Sequence, residues 1–467
     1  MDLQEERVQK EVDWEGDNDP DNPRNWCWSK KMINIGIVFI LASVTPLASS
    51  SIGPGIPLIA KDFNETREPV VSLVISIFIL GFAFGPLLSA PLSELYGRRV
   101  VYNVSNVLHL FSTIGCALAP NIGSLIFFRF IGGCFGATSM NVAGGSIADQ
   151  IDIARRGVVM TGLFACIFLG PVIGPVIGGF LAQAVGWRWV FWLLTIVSGV
   201  STIIAFFFLT ESHAETILRR KAGRLNREQP HAYSKPVANV QAVLLRSLLR
   251  PMRMLIRSPV VTGLSFYLAL IYGYLYLLFT TFPTVFPSQY GFETGILGLA
   301  CLGLGIGMIT ALAVLSWFSD WSQERFTKKH GQSKPEYRLF PLIFGIPFLP
   351  IGLFGYGWTT QYEVHWIVPI FFTSLAGMGL IFSFVPTQIY MVDAFTKYAA
   401  SALAATSVVR SMFGGCLPIA GLSMYSTLGY GWGNSLLGFI ALAASIAPFI
   451  FWKYGERLRT KYDVSFD

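Results

Sequence analysis

The chain has 467 residues, of which 53% are hydrophobic and only 13% charged, with 38 Phe and a mean hydropathy of +0.55. A water-soluble domain averages about 25% charged residues, so this composition excludes one and points to a protein embedded in the lipid bilayer. The net charge of +7 requires no nucleic acid, because a basic excess in the loops on one side is what membrane orientation needs.

The first residues, MDLQEERVQKEVDWEGDNDPDNPRNW, are acidic and polar, without the basic start and short apolar core of a secretory signal. Residues 1–31 therefore read as a disordered cytosolic tail. Apolar runs then recur near 32–60, 70–93, 100–119, 122–148, 157–182 and 189–209. A second series lies near 259–286, 295–318, 339–357, 366–391, 399–425 and 432–452. Uncharged runs near or above about 18 residues are the length of a spanning helix. The expected fold is an all-α integral membrane protein with about twelve transmembrane helices. Its parts are an N-terminal lobe over 32–210, a basic cytosolic linker over 211–258, a C-terminal lobe over 259–452 and a cytosolic tail over 453–467.

That linker holds ten Lys and Arg against Glu211, Glu215 and Glu228. Arg98, Arg99, Arg155, Arg156 and the basic stretches at 325–338 and 453–461 fall on the same side, whereas the alternate loops carry little beyond Lys61, Arg67 and Arg188. Positive loops stay in the cytosol, so both termini are expected inside. The two halves also echo each other. GWRWVFWLL begins at Gly186 and GYGWGNSLL at Gly429, and the same 243-residue offset relates Pro175 to Pro418 and Gly178 to Gly421. Asp149 and Asp393 end corresponding segments, and LSEL at 92–95 resembles FSDW at 318–321. Parallel repeats with a central site between them are a transporter plan. The cysteines at 27, 116, 134, 166, 301 and 416 have neither metal-ligand spacing nor a disulfide framework, so no metal or cofactor is implied.

Several motifs resemble the major facilitator superfamily, and within it the fungal twelve-helix drug:proton antiporters. GPVIGPVIGG at 170–179 matches the fifth-helix antiporter pattern through Gly170, Gly174, Pro175, Gly178 and Gly179. Ser93, Glu94, Gly97, Arg98 and Arg99 resemble the loop motif between helices two and three, with Ala90, Glu94 and Leu95 departing from it. Arg129, Gly133 and Ala137 resemble the fourth-helix motif, and DPDNPRNW, GWRWVFW, ESHAETILRRKAGRL and PEYRL look like the fungal subgroup. The resemblance covers nearly the whole chain. It implies the major facilitator fold, two pseudo-symmetric six-helix lobes, no enzyme activity, a monomer, a plasma-membrane location, a small-molecule substrate and protons as the coupling ion.

It also implies roles. The stripe Gly170, Gly174 and Gly178, with Pro175 and Gly179, would pack helix five against a helix of the opposite half; an ordinary small-residue packing stripe is the other reading. Glu94, with Gly97, Arg98, Arg99, Asp149 and Asp393, would form a cytosolic gate in which Glu94 rests on the N-terminus of helix eleven near Ala399 to Ser401 when the inner gate is shut. Ionisable residues inside spans are functional candidates by default. Arg129 either snorkels or faces the cavity, Arg410 sits mid-span in helix eleven and needs a cavity partner, and His109 reads as packed and neutral.

No Asp or Glu lies in the interior of any segment, so a strongly cationic substrate lacks a counter-charge. A neutral or mildly polar amphipathic substrate fits better. Tyr267, Tyr272, Tyr274 and Tyr276 on helix seven, Thr387 and Gln388 on helix ten and Asn141 on helix four supply rings and polar groups, of which about half should line the cavity. The leading expectation is an exporter of small amphipathic compounds, such as a secondary metabolite, toxin or antifungal drug, working in exchange for protons by alternating access. A polyamine exporter or uncoupled facilitator is the alternative, and a membrane enzyme or sensor lacks any supporting motif. Asn64 opens the sequon NET in an outside loop and is a candidate glycosylation site.

Overall fold

The computed structural model describes residues 10–11, 13–16, 18–228, 232–233, 240–332, 334–395 and 398–461. The N-terminal lobe consists of α1 (Trp28–Ser50), α2 (Glu68–Tyr96), α3 (Arg98–Ala117), α4 (Ile122–Gln150), α5 (Ile153–Val185) and α6 (Trp187–Phe208). The C-terminal lobe consists of α7 (Pro259–Tyr290), α8 (Thr294–His330), α9 (Pro335–Gln361), α10 (Ile367–Ala394), α11 (Ala399–Cys416) and α12 (430–461). Two linker helices, Ala214–Glu228 and Val240–Arg257, join the lobes, and a two-residue parallel pairing couples Lys10–Glu11 to Ala232–Tyr233.

Eleven described stretches are long and apolar enough to cross a membrane, and the last, Ser401–Lys461, has 61 residues. It is two spans. At Gly429 the backbone takes φ 73°, and past that point the chain doubles back, so that the Tyr425 hydroxyl donates to Asn434 Oδ1 at 3.0 Å. Gly186, its counterpart in the repeat, turns α5 into α6 at φ 94°. A side chain at either position would face the steric penalty of positive φ, which glycine avoids. The 243-residue echo thus marks the same turn in each lobe.

Within the lobes the packing is also repeated. α2 lies on α4 and α1 on α5; α8 lies on α10 and α7 on α11. Between the lobes, α5 packs on α8 and α2 on α11. Large apolar side chains such as Phe111, Phe207, Trp317 and Phe439 remain exposed on the outer surface, as a lipid-facing perimeter requires. GPVIGPVIGG stays helical, because neighbouring helices shield the carbonyls that Pro171 and Pro175 leave unpaired.

Residues 1–9 of the expected disordered tail lie outside the described residues, as do Lys235 of the linker and 462–467 of the C-terminal tail. Residues 18–27 are folded, contrary to expectation. Asp19 is buried, accepts the Glu15 and Asp21 amides at 2.8 and 2.9 Å, and pairs with Lys221 of the first linker helix at 3.1 Å. The Lys31 ammonium donates to the Arg24 carbonyl at 2.6 Å. Within DPDNPRNW, Asp19 thus finds a donor in the basic linker, and Asn22 Oδ1 accepts the Arg24 amide at 3.1 Å.

Candidate functional site

Two matched clusters lie at the end of the molecule that carries the linker. In the first, Arg98 at the start of α3 donates to Ser93 Oγ at 2.6 Å and to Asp149 Oδ2 at 3.2 Å. In the second, Arg338 on α9 donates to Ser319 Oγ at 3.2 Å and lies 3.4 Å from Asp393 Oδ2. Ser93 and Ser319 are the serines of LSEL and FSDW, and Asp149 and Asp393 close α4 and α10. Each lobe therefore ties three of its helices together with one Ser, Arg and Asp set.

The contact expected of Glu94 in a shut inner gate is not made in this conformation. Its side chain is exposed and makes no hydrogen bond or ion pair among the described residues, whereas Asp320, its counterpart, pairs with Arg338 at 2.7 Å. A different carboxylate, Glu211, caps a different helix, α3 of its own lobe. Its buried carboxylate accepts the Arg98 amide at 2.8 Å and the Arg99 amide at 3.2 Å, capping the N-terminus of α3 where the helix dipole favours an anion. Gly97 is required beside it, since a Cβ there would lie 2.8 Å from the Glu211 carboxyl carbon. Burial, together with the Arg98 guanidinium, holds the neighbouring His213 below the ordinary histidine value.

The glycine stripe also faces elsewhere than expected. A Cβ on Gly170 would meet the Leu47 amide at 2.8 Å, and one on Gly174 would meet Ser50 Oγ at 2.6 Å. Gly178 approaches the Ser51 backbone more closely still. All three partners lie on α1 or its C-cap residue Ser51, in the same lobe. Contact with the opposite lobe comes from the adjacent face of α5. Gly298 of α8 abuts Pro175 and Val176, Gly305 abuts Val172, and Gly179 approaches the Thr294 carbonyl. The helical period separates the two faces: 170, 174 and 178 form one stripe, and 172, 175, 176 and 179 another.

Three contacts that cross between the lobes lie away from the linker end. Gln183 Nε2 donates to Glu293 Oε2 at 2.8 Å, and its Oε1 accepts the Gly295 amide at 2.7 Å. Further in, the hydroxyls of Ser49 and Tyr276 are 3.2 Å apart. At the linker end the Arg98 and Arg338 clusters each close on their own half.

At the centre, Arg410 of α11 lies over the rings of Tyr272 and Phe384, 5.0 Å from each centroid. Phe384 in turn meets Phe168 of α5 edge-on at 5.3 Å. Gln388 sits one turn beyond Phe384 on the same face of α10. Tyr272 and Tyr276 touch at 5.0 Å on the face of α7 turned to the other lobe. Tyr267 and Tyr274 instead bond within their own lobe, to Ser383 Oγ at 2.8 Å and the Leu437 carbonyl at 2.9 Å. Thr387 is likewise internal, bonded to the Ser383 carbonyl at 2.7 Å.

Arg129 does not snorkel. Its three nitrogens donate to the carbonyls of Val74 at 2.9 Å, Ala48 at 2.8 Å and Ser49 at 3.1 Å, and its guanidinium caps the C-terminal end of α1. Asn141 donates to the Ala137 carbonyl at 2.7 Å, one turn back on its own helix. His109 is buried, with Nδ1 2.9 Å from the Gly132 carbonyl, as expected of a packed histidine. Asn64 is exposed in the loop before α2, at φ 51°.

The chain matches the Major Facilitator Superfamily over residues 38–418. It belongs to that superfamily. The MFS-type transporter penM of Penicillium rubens is 47% identical over 465 residues, covering 97% of this chain and 91% of that protein. The efflux pump radE of Floropilus chiversii is 45% identical, covering 98% and 86%. The MFS-type transporter hepF of Aspergillus oryzae is 44% identical, covering 97% and 95%. The xylose transporter XylE from E. coli, in a partially occluded inward open conformation, superposes with a TM-score of 0.65 at 16% identity over 91% of this chain and 99% of its own. This superfamily member is thus a multi-pass membrane transporter and not an enzyme. Glu211, Gln183, Glu293, Ser49 and Phe384 were not singled out by sequence; each is an ordinary residue until the fold brings its partner alongside.

Proposed function

We propose that this transporter exports small amphipathic compounds, such as a secondary metabolite, toxin or antifungal drug, from the cytosol across the plasma membrane in exchange for protons. The lobes rock about the α5–α8 and α2–α11 contacts, with both termini in the cytosol, the chain acting as a monomer and Asn64 facing outward. The observation that carries this reading is the central set of Arg410, Tyr272, Phe384 and Gln388 at the meeting of the lobes. It combines ring surface with a fixed positive charge and adjoins the cross-lobe contact of Ser49 with Tyr276. Such a site suits a largely apolar body with a polar group. The likeness to an efflux pump over most of the chain supports the direction. Sealed inside-out vesicles containing the protein should accumulate a fluorescent amphipathic probe when their lumen is acidified. Accumulation that ignores the pH gradient would remove proton exchange, and none at all would remove export.

A further inference from the structure

Two arginines, Arg129 and Arg410, lie in the middle of spans, away from the helix ends, and only Arg129 has its donors satisfied. Arg129 uses all three nitrogens on backbone carbonyls. Arg410 is 9% exposed, and among the described residues its one hydrogen bond is a long contact from Nη2 to Ser407 Oγ at 3.4 Å. Its Nε is buried without a partner. The rings of Tyr272 and Phe384 attract the cation through their faces, but they leave the N–H donors around its edge unmet. The titratable side chains that face it are the phenols of Tyr272 and Tyr276, and neither is a carboxylate. No Asp or Glu lies in the interior of any span to balance it.

A buried charge without a counter-charge is costly, and proteins pair such charges or place them where a ligand does so. A cationic substrate would meet an unbalanced like charge here. A neutral one would leave the donors largely unmet.

We propose that the substrate is an amphipathic weak acid whose carboxylate, or equivalent anionic oxygen, pairs with Arg410 while its apolar ring body lies against Tyr272, Phe384 and Phe168. This deepens, and rests on, the export reading above. The planar guanidinium fork suits a carboxylate in a way an ammonium does not. Gln388, one turn from Phe384, supplies an amide for a second oxygen.

The test uses purified full-length protein in detergent with three probes of one ring system: naphthalene-2-carboxylate, naphthalene-2-carboxamide and 2-naphthylmethylammonium. Affinity is read from the concentration dependence of the melting temperature. The carboxylate should bind about tenfold or more tightly than the amide, the advantage expected of a charge-assisted pair, and the ammonium most weakly. In Arg410→Gln the ratio of carboxylate to amide affinity should fall to near one. If that variant does not fold, Arg410→Lys should cut the ratio several-fold while keeping the charge. Equal binding of acid and amide by the wild type overturns the proposal, as does a ratio that survives in Arg410→Gln, or no binding of any probe. Vesicle uptake of the same probes separates the two readings. Uptake of the amide with no preference for the acid keeps export and sinks the weak-acid assignment. Tight binding of the acid without uptake of any probe sinks export and keeps the assignment.

Discussion

Gln183 bridges the two lobes at the end remote from the linker, donating to Glu293 at 2.8 Å while accepting the Gly295 amide at 2.7 Å. One side chain of α5 thereby caps the first turn of α8. An alternating-access cycle must break this pair when that end opens. Gln183→Ala removes both bonds, worth roughly 1 kcal/mol net, which shifts a two-state equilibrium several-fold. A cysteine placed at Pro54, beside Gly179, should then react several-fold faster with an impermeant maleimide added outside. An unchanged rate would mean that the pair does not hold the end closed.

The two faces of α5 should respond differently to bulk. Gly298→Leu drives a side chain into the Pro175 backbone across the lobe boundary, so transport should be lost with normal membrane abundance. Gly174→Leu drives one into α1 of the same lobe, so melting temperature and abundance should fall as well. Equal abundance and stability in the two variants would erase the distinction between an inter-lobe face and an internal one.

Glu211 caps α3, whereas Glu94 is exposed and unpaired among the described residues. Loss of an N-terminal cap costs roughly 1 kcal/mol, and an exposed side chain without partners costs about nothing. Glu211→Ala should therefore lower the melting temperature of the detergent-purified protein by a few degrees, and Glu94→Ala should leave it in place. The reverse order would return the role to Glu94.

Asn64 lies exposed in a left-handed backbone conformation that asparagine tolerates, four residues before α2 begins. In a glycosylating host the wild type should run as a band sharpened by endoglycosidase, and Asn64→Gln should not respond to the enzyme. A tag in this loop reached only from the cytosol would reverse the whole orientation.

Apolar runs, the count of about twelve spans, the basic side and the repeat were all readable along the chain, because lipid imposes length, hydropathy and charge rules on local sequence. Even the paired turns at Gly186 and Gly429 could be matched by spacing, since positive φ favours the same residue in both lobes. Partner choice was not readable in this way. Whether Gly174 meets α1 or α8 depends on a rotation of about 100° per residue around α5, which both motif readings satisfy until the neighbours are fixed. Which carboxylate caps the amides that open α3 at Arg98 and Arg99 depends on where the linker folds back, 113 positions later. Arg129 and Arg410 look alike in sequence, as lone cations in apolar helices. Only the packing gave one its carbonyls and left the other with donors still open. Lipid solvation acts on each segment separately, and so is written locally; hydrogen bonds and close contacts belong to pairs, and appear only when the helices are assembled.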